Sequence, residues 1–364
     1  RWLALTKLSG GYAELWLRVQ RLASGLRASG VAEGDLVLLI GFSTVDHFVA
    51  ELACHYLAAV SVPLAKSIAE EALGAIAAQC QATTLCCSAD VVAELAARIA
   101  AAPQAFAALA RAIVLDAGDD DQRVEVGGVE VLTCAACEER GRHAGLFPPV
   151  VPGGSAASPG GDDRLLSLVY TSGSTGEPKG AMFGERAWRA RWATLPFGEL
   201  LELPMVSLVF LPQNHMGGRN ALANSWKLGG LAYLTHASDL STLFEDLKLV
   251  RPTYLHLVPR LSEQLYQHYQ RELARAGGAG AEAAAATASA TATATASEAI
   301  LAEMREQLLG GRLLLALTAS APTPPEVLAF VQRAFDIPVV NVFAGTEYGQ
   351  LFVDGKVNRQ NVLE

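Results

Sequence analysis

An α/β fold with mostly parallel sheets is what this 364-residue sequence predicts. Short apolar runs such as residues 36–40 and 83–87 alternate with stretches of helical periodicity, the pattern of βαβ units. The composition is 51% hydrophobic and 18% charged, that of a well-buried globular chain and not of a disordered one. The length suffices for a large core and more than one globular unit.

In chain order, a helix opens at Tyr12 with Leu15, Val19, Leu22 and Leu26 on one face, and stops at Gly30. Gly34-Asp35 makes a turn into the buried strand 36–40. Helix 45–57, strand 59–63, helix 70–79, strand 83–87, helix 91–101 and strand 112–115 follow. Residues 116–123 are an acidic turn and residues 148–163 a Gly/Pro/Ser-rich loop, so a first α/β subdomain is expected over 1–160 and a second over 161–364.

The second part reads as strand 165–170, strand 204–211, strand 231–234, and then a helix, turn and strand over 239–260. Asp239 is the expected N-cap of that helix, and Arg251-Pro252 its end. Helix 261–274 leads into a low-complexity Ala/Thr/Gly/Ser tract, 276–298, expected to be an exposed insertion. Strand 313–318, helix 325–335 and strand 338–340 complete the reading.

Charge and composition exclude some classes of function. A net charge of −9 and a pI near 5.4 argue against a nucleic-acid-binding surface. No uncharged apolar run reaches the roughly 18 residues of a transmembrane helix. Nothing near Arg1 reads as a signal peptide, so the chain is expected to have lost its true N-terminus. Six cysteines stand at 54, 80, 86, 87, 134 and 137. Cys134 and Cys137 have the spacing of half a zinc site but lack a second pair, so packing or surface thiols in a reducing, cytoplasmic compartment are expected.

The chemistry concentrates in Thr171-Ser172-Gly173-Ser174-Thr175-Gly176-Glu177-Pro178-Lys179-Gly180, directly after a buried strand. Three glycines let backbone N–H groups converge, four hydroxyls add donors or metal-ligand oxygens, and Lys179 adds a positive charge. A loop of this kind after a buried strand can hold a polyphosphate, the plainer alternative being a flexible Gly/Ser connection. It is not a Walker A loop, because Gly180 follows Lys179 where Ser or Thr would be required.

Those ten residues resemble the signature loop of the adenylate-forming enzymes: acyl-CoA synthetases, peptide-synthetase adenylation domains, luciferases and carboxylic acid reductases. Leu211-Pro212-Gln213-Asn214-His215-Met216-Gly217-Gly218-Arg219 and the block 239–260 resemble carboxylic acid reductase adenylation domains in particular. Asn341-Val342-Phe343-Ala344-Gly345-Thr346-Glu347-Tyr348-Gly349 is similar to a later motif of the same family. The resemblance implies the large N-terminal part of such an enzyme, ATP and Mg²⁺ as cofactors, and a small-molecule carboxylic acid as substrate.

The same resemblance implies that Thr171, Ser172, Gly173, Ser174, Thr175, Gly176 and Lys179 contact ATP phosphates. His215 would line the acyl pocket near the α-phosphate. Ser320 and Ala321 would lie against adenine, and Phe343 would stack on it where the family has Tyr. Thr346 would contact the α-phosphate, and Glu347 with Thr175 would hold Mg²⁺. His256 and Pro259 would approach the acyl pocket. Ala319 and Ala344 stand where the family has glycines.

The family's later Thr-Gly-Asp motif and its C-terminal lid lysine do not occur, so the lid is expected to be absent. No Gly-x-Gly-x-x-Gly occurs, and NADPH and phosphopantetheine are expected only if further domains exist. The acyl group would then pass to an in-cis carrier domain or to coenzyme A. The implied function is activation of a fatty or aromatic acid to acyl-AMP with pyrophosphate release. The alternatives are a medium- or long-chain acyl-CoA ligase, or a truncated, non-catalytic nucleotide-binding remnant.

Overall fold

The computed structural model describes residues 11–117, 123–150, 163–172, 178–193, 205–227, 229–235, 239–278, 286–319, 323–346, 349–353 and 356–357. The chain divides into two compact units, one of Arg1–Pro196 with Leu211–Met216 and one of Phe197–Phe210 with Gly217–Glu364.

In the first unit, α1 (Gly11–Ala28) buries Leu15, Val19, Leu22 and Leu26, residues that share one helix face. Then come β1 (Leu36–Ile40), α2 (Val45–Leu57), β2 (Val60–Leu64), α3 (Glu70–Cys80), β3 (Thr84–Cys87), α4 (Ala89–Ala101) and β4 (Arg111–Val114). Thr44 caps α2, its hydroxyl accepting from the His47 amide at 3.3 Å. Every residue of β2 and β3 is buried, as parallel strands covered by helices on both faces must be.

Residues 123–144 add an antiparallel hairpin, β5 (Arg123–Val126) and β6 (Val129–Thr133), and a helix, α5 (Cys134–Ala144). Neither is among the elements expected from the sequence, where only the acidic turn before them was marked. The signal was present: valines and glutamates alternate around Gly127-Gly128, and both glycines adopt positive φ.

α5 crosses α1 at glycines. A Cβ on Gly141 would lie 1.8 Å from the Arg21 carbonyl oxygen, and one on Gly25 would lie 1.9 Å from that of Cys137. Arg18 ties the two helices to α2, with Nε donating to Glu138 at 2.9 Å and Nη2 to Asp46 at 2.9 Å. All six cysteines are free and buried, and burial pushes the Cys54 thiol up to about 12. Packing, not surface exposure, is their role.

Strands β7 (Leu165–Ser172) and β8 (Pro178–Gly184) belong to this first sheet, whose order is β5-β6-β4-β3-β1-β2-β7-β8 among the described residues. The chain therefore does not divide near residue 160. Ser167 of β7 pairs in parallel with Ser61 of β2, so the strands flanking the signature loop complete the first unit. Helix α6 (Glu185–Ala193) follows them.

The second unit carries β9 (Val206–Val209), α7 (Met216–Lys227) after its first residue, β10 (Leu231–Leu234), α8 (Leu243–Val250), β11 (Tyr254–Leu257), α9 (Pro259–Gly278) and α10 (Ala286–Glu303). A π-helical turn (Met304–Leu308), β12 (Leu315–Thr318), α11 (Pro325–Phe335), β13 (Val339–Gly345), β14 (Gly349–Val353) and β15 (Lys356–Val357) follow. Its sheet runs β10-β9-β11-β12-β13-β14-β15 among the described residues, around a core of Met205, Tyr254, Leu315, Leu317, Val340 and Val342.

Two local expectations change here. Thr242, not Asp239, is the N-cap of α8. Asp239 instead accepts from the Ser241 amide at 2.9 Å, closing a turn two residues long that ends before the helix begins. The low-complexity tract is helical from Ala286, because alanine's helix propensity outweighs the interspersed threonines. Its end is anchored, not free: Ser297 is buried, 2.7 Å from the Tyr269 hydroxyl, and accepts from Arg333 at 2.6 Å.

Candidate active site

β7 and β8 are antiparallel, and their register sets Thr171 opposite Lys179 and Ser172 opposite Pro178. β7 and β8 are thus the two arms of a hairpin, whereas a Walker A loop leads from a strand into a helix. Gly173, Ser174, Thr175 and Gly176, between the hairpin's arms in sequence, lie outside the described residues. Lys179 and Thr171 stand at the hairpin's mouth as cross-strand neighbours, with Cα atoms about 5 Å apart by the geometry of such ladders. Lys179 is exposed, so its ammonium group can meet an anion without a prior desolvation cost.

The hairpin is stiffened just below its mouth. Tyr170 lies across Gly180, where a Cβ would come 3.3 Å from the ring. The Tyr170 hydroxyl donates to Gln79 at 2.8 Å, which ties β7 to α3. Burial raises the Tyr170 pKa and keeps the hydroxyl protonated as a donor.

At the hairpin's base, Leu166, Val169, Phe183 and Trp188 pack around Met216. Met216 follows His215 directly, so this apolar cluster seats His215 beside the hairpin. The His215 amide donates to the Pro212 carbonyl at 3.2 Å, closing the turn that presents it. Its side chain keeps an exposed face, yet enough protein surrounds it that desolvation lowers its pKa. A neutral imidazole with an exposed edge can donate a hydrogen bond to a carboxylate.

Arg219, in the first turn of α7, was quoted within the motif but given no role. It is 3% exposed, and burial lowers its pKa to about 9. The signal that could have singled it out is an arginine inside an otherwise small and apolar helix start, Met216-Gly217-Gly218-Arg219.

In the second unit, β13 alternates: Val340 and Val342 are buried, while Asn341 and Phe343 face outward. The strand runs to Gly345, five residues beyond its expected end. Phe343 is 57% exposed and pairs in register with Phe352, and a bulge separates it from Ala344. Thr346 follows at the end of the strand, half-buried. Ser320, Ala321 and Glu347 lie outside the described residues. His256 is buried within β11, and Pro259 begins α9.

The first unit thus sets Thr171 and Ser172 across from Lys179 and Pro178 and also holds His215, while the second holds Phe343 and Thr346. Among the described residues no group of three His, Cys, Asp or Glu side chains is arranged to hold a metal, and both expected metal-binding residues, Thr175 and Glu347, lie outside them. No helix of the described residues is long and apolar enough to cross a membrane.

A family model described as AMP-binding enzyme matches residues 6–362. This chain belongs to the AMP-binding enzyme family. A carboxylic acid reductase of Mycobacterium marinum is 37% identical over 363 residues, which cover 97% of this chain and 30% of that protein. Among solved structures, the adenylation domain of a carboxylate reductase from Mycobacterium chelonae matches with a TM-score of 0.81 at 30% identity, over 96% of this chain and 53% of that one. The adenylation domain of carboxylic acid reductase from Segniliparus rugosus, in complex with AMP and a co-purified carboxylic acid, matches with a TM-score of 0.77 at 32% identity, over 96% of this chain and 55% of that one. The chain spans under a third of the curated relative and about half of each solved domain.

Proposed function

We propose that this chain activates a carboxylic acid with ATP, as the adenylation part of a carboxylic acid reductase-like enzyme. The observation that carries the reading is the end of the hairpin, where an exposed Lys179 stands across from Thr171, and His215 precedes Met216 of the apolar cluster at its base. A carboxylate oxygen attacks the α-phosphorus of ATP, the bond to the bridging oxygen of the β-phosphate breaks, and acyl-AMP and pyrophosphate form with no net proton transfer.

The chain's residues would act by position and charge. Lys179, Thr171, Ser172, Gly173, Ser174, Thr175 and Gly176 hold the β- and γ-phosphates, where the departing pyrophosphate gathers negative charge. His215 donates to the incoming carboxylate and, being neutral, does not bind it as a tight ion pair. Phe343 offers an exposed ring for adenine, Ser320 and Ala321 line its edge, and Thr346 contacts the α-phosphate. Glu347 and Thr175 supply one carboxylate and one hydroxyl, a donor set that suits Mg²⁺ when phosphate oxygens and water complete its shell. Bound there, Mg²⁺ would neutralise charge on the phosphates.

Trapping the product tests this. Incubated with ATP, Mg²⁺ and a panel of fatty and aromatic acids, the intact protein should form hydroxamates when hydroxylamine is added, because acyl-AMP is a reactive mixed anhydride. Formation of hydroxamate without ATP, or none with any acid despite folded protein that binds ATP, would contradict it. The thioester acceptor is read in the same assay: coenzyme A consumption marks a ligase, and loading of a carrier domain marks a reductase.

A further inference from the structure

Strands β7 and β8 stand at one edge of the first sheet and join it through β2, so the β2–β7 seam sets where the phosphate hairpin stands. At that seam Ser61 lies opposite Ser167, and both are fully buried at 0%. The Ser167 hydroxyl donates to the Ser61 carbonyl at 3.1 Å. The Ser61 hydroxyl lies 2.9 Å from the Ser167 oxygen and 3.2 Å from Glu51 Oε1. His55 Nε2 is 3.2 Å from the Ser61 hydroxyl, which in turn lies 3.4 Å from the Leu166 carbonyl oxygen on β7. Glu51 and His55 are one turn apart on α2, so one helix face meets the Ser61 hydroxyl at the seam.

The same histidine meets the hairpin from a second side. Its ring lies 6.1 Å from that of Trp188 on α6, and Trp188 lies 6.2 Å from Phe183 of β8. A strand buried on both faces is ordinarily filled with Val, Ile and Leu. Two serines at the pairing position, with a buried glutamate behind them, carry a desolvation cost that apolar residues would not. In return their hydrogen bonds are directional, and they hold one strand height where an apolar seam tolerates sliding.

We propose that Glu51, His55, Ser61 and Ser167 are positioning residues that fix the height of the β7–β8 hairpin, and through it the reach of Thr171 and Lys179 toward ATP phosphates; this rests on the adenylation reading above.

The test is Ser167→Ala in the intact protein, with Ser225→Ala as a control. Ser225, on α7, forms a buried hydroxyl pair with Ser207 of the second sheet, in the other unit of the chain. Ser167→Ala should raise KM for ATP about tenfold and leave KM for the acid within about twofold, as small misplacements of positioning groups do. Ser225→Ala should lose similar thermal stability with neither KM changed. Amide hydrogen exchange should quicken about tenfold in residues 165–172 and 178–184 of Ser167→Ala and stay unchanged in residues 36–40.

An unchanged KM for ATP, or equal rises in both KM values, would overturn the proposal. Should Ser167→Ala fail to fold, Glu51→Gln, which keeps the shape and puts an amide where the carboxyl group stands, replaces it with the same readouts. Absence of turnover in the unsubstituted protein would refute the adenylation reading instead. The exchange measurement then decides the seam by itself, and unchanged hairpin exchange overturns it.

Discussion

Lys179 is exposed and stands across the hairpin from Thr171. Replacing it with alanine opens no cavity, so unfolding free energy should change by no more than about 0.5 kcal/mol. Loss of its charge-assisted contacts to phosphate should raise KM for ATP about tenfold or more. Steady-state kinetics beside urea denaturation separates the two effects, and equal losses of stability and activity would count against a phosphate-binding role. His55 makes a prediction of a different kind. Burial, helped by the positive charge of Arg164, lowers its pKa from 6.5 to about 4. The unfolded chain therefore binds the proton more readily than the folded one. The stability held by neutral His55 is fully present above the unfolded pKa and is lost as pH falls from about 6.5 toward 4. Urea denaturation at pH 7 and pH 5 should show a drop that shrinks by about 2 kcal/mol in His55→Gln. An undiminished drop would show that His55 is not the group responsible.

Between helices, the α1–α5 crossing is the most sharply fixed contact. Gly141→Ala would drive a methyl into the Arg21 carbonyl, an approach no rotamer can relieve, and should cost about 3 kcal/mol or more in urea denaturation. A loss under about 0.5 kcal/mol would mean that the helices stand farther apart. Nothing local announces this crossing, because Gly25 and Gly141 are over a hundred residues apart and each by itself reads as a weak point in a helix. The parallel strands were legible: 36–40, 231–234 and the core of 83–87 form where apolar runs sit between turn signals. Helices α5, α6 and α7 were not, since short helices rich in Arg, Glu, Gly and Asn show little apolar periodicity and are held by what they pack against. The Gly/Ser/Thr-rich signature was legible as a candidate phosphate loop, but the antiparallel pairing of its flanking strands was not. Proline and glycine at 178 and 180 read as loop, and β8 pairs along an edge where proline's missing N–H is tolerated.

Across the whole chain, two sheets carry candidate residues toward the ends of strands: the β7–β8 hairpin with Thr171 and Lys179 closes one edge of the first, and Phe343 and Thr346 lie at the end of a strand of the second. Ligand-binding groups at strand ends on a rigid scaffold are the general habit of α/β proteins. A boundary expected at 160 from a Gly/Pro/Ser-rich loop could not reveal that the following strands return to the first sheet, because strand order is set by long-range pairing and not by local composition. The central claim is that these residues activate an acid through ATP. Acid-dependent exchange of radiolabelled pyrophosphate into ATP measures that step directly, before any thioester acceptor is needed. Exchange in the intact protein that requires a carboxylic acid, and that falls about tenfold or more in Lys179→Ala at saturating acid and subsaturating ATP, is the predicted result. Folded protein that exchanges no pyrophosphate with any fatty or aromatic acid, or exchanges it equally without acid, would contradict it.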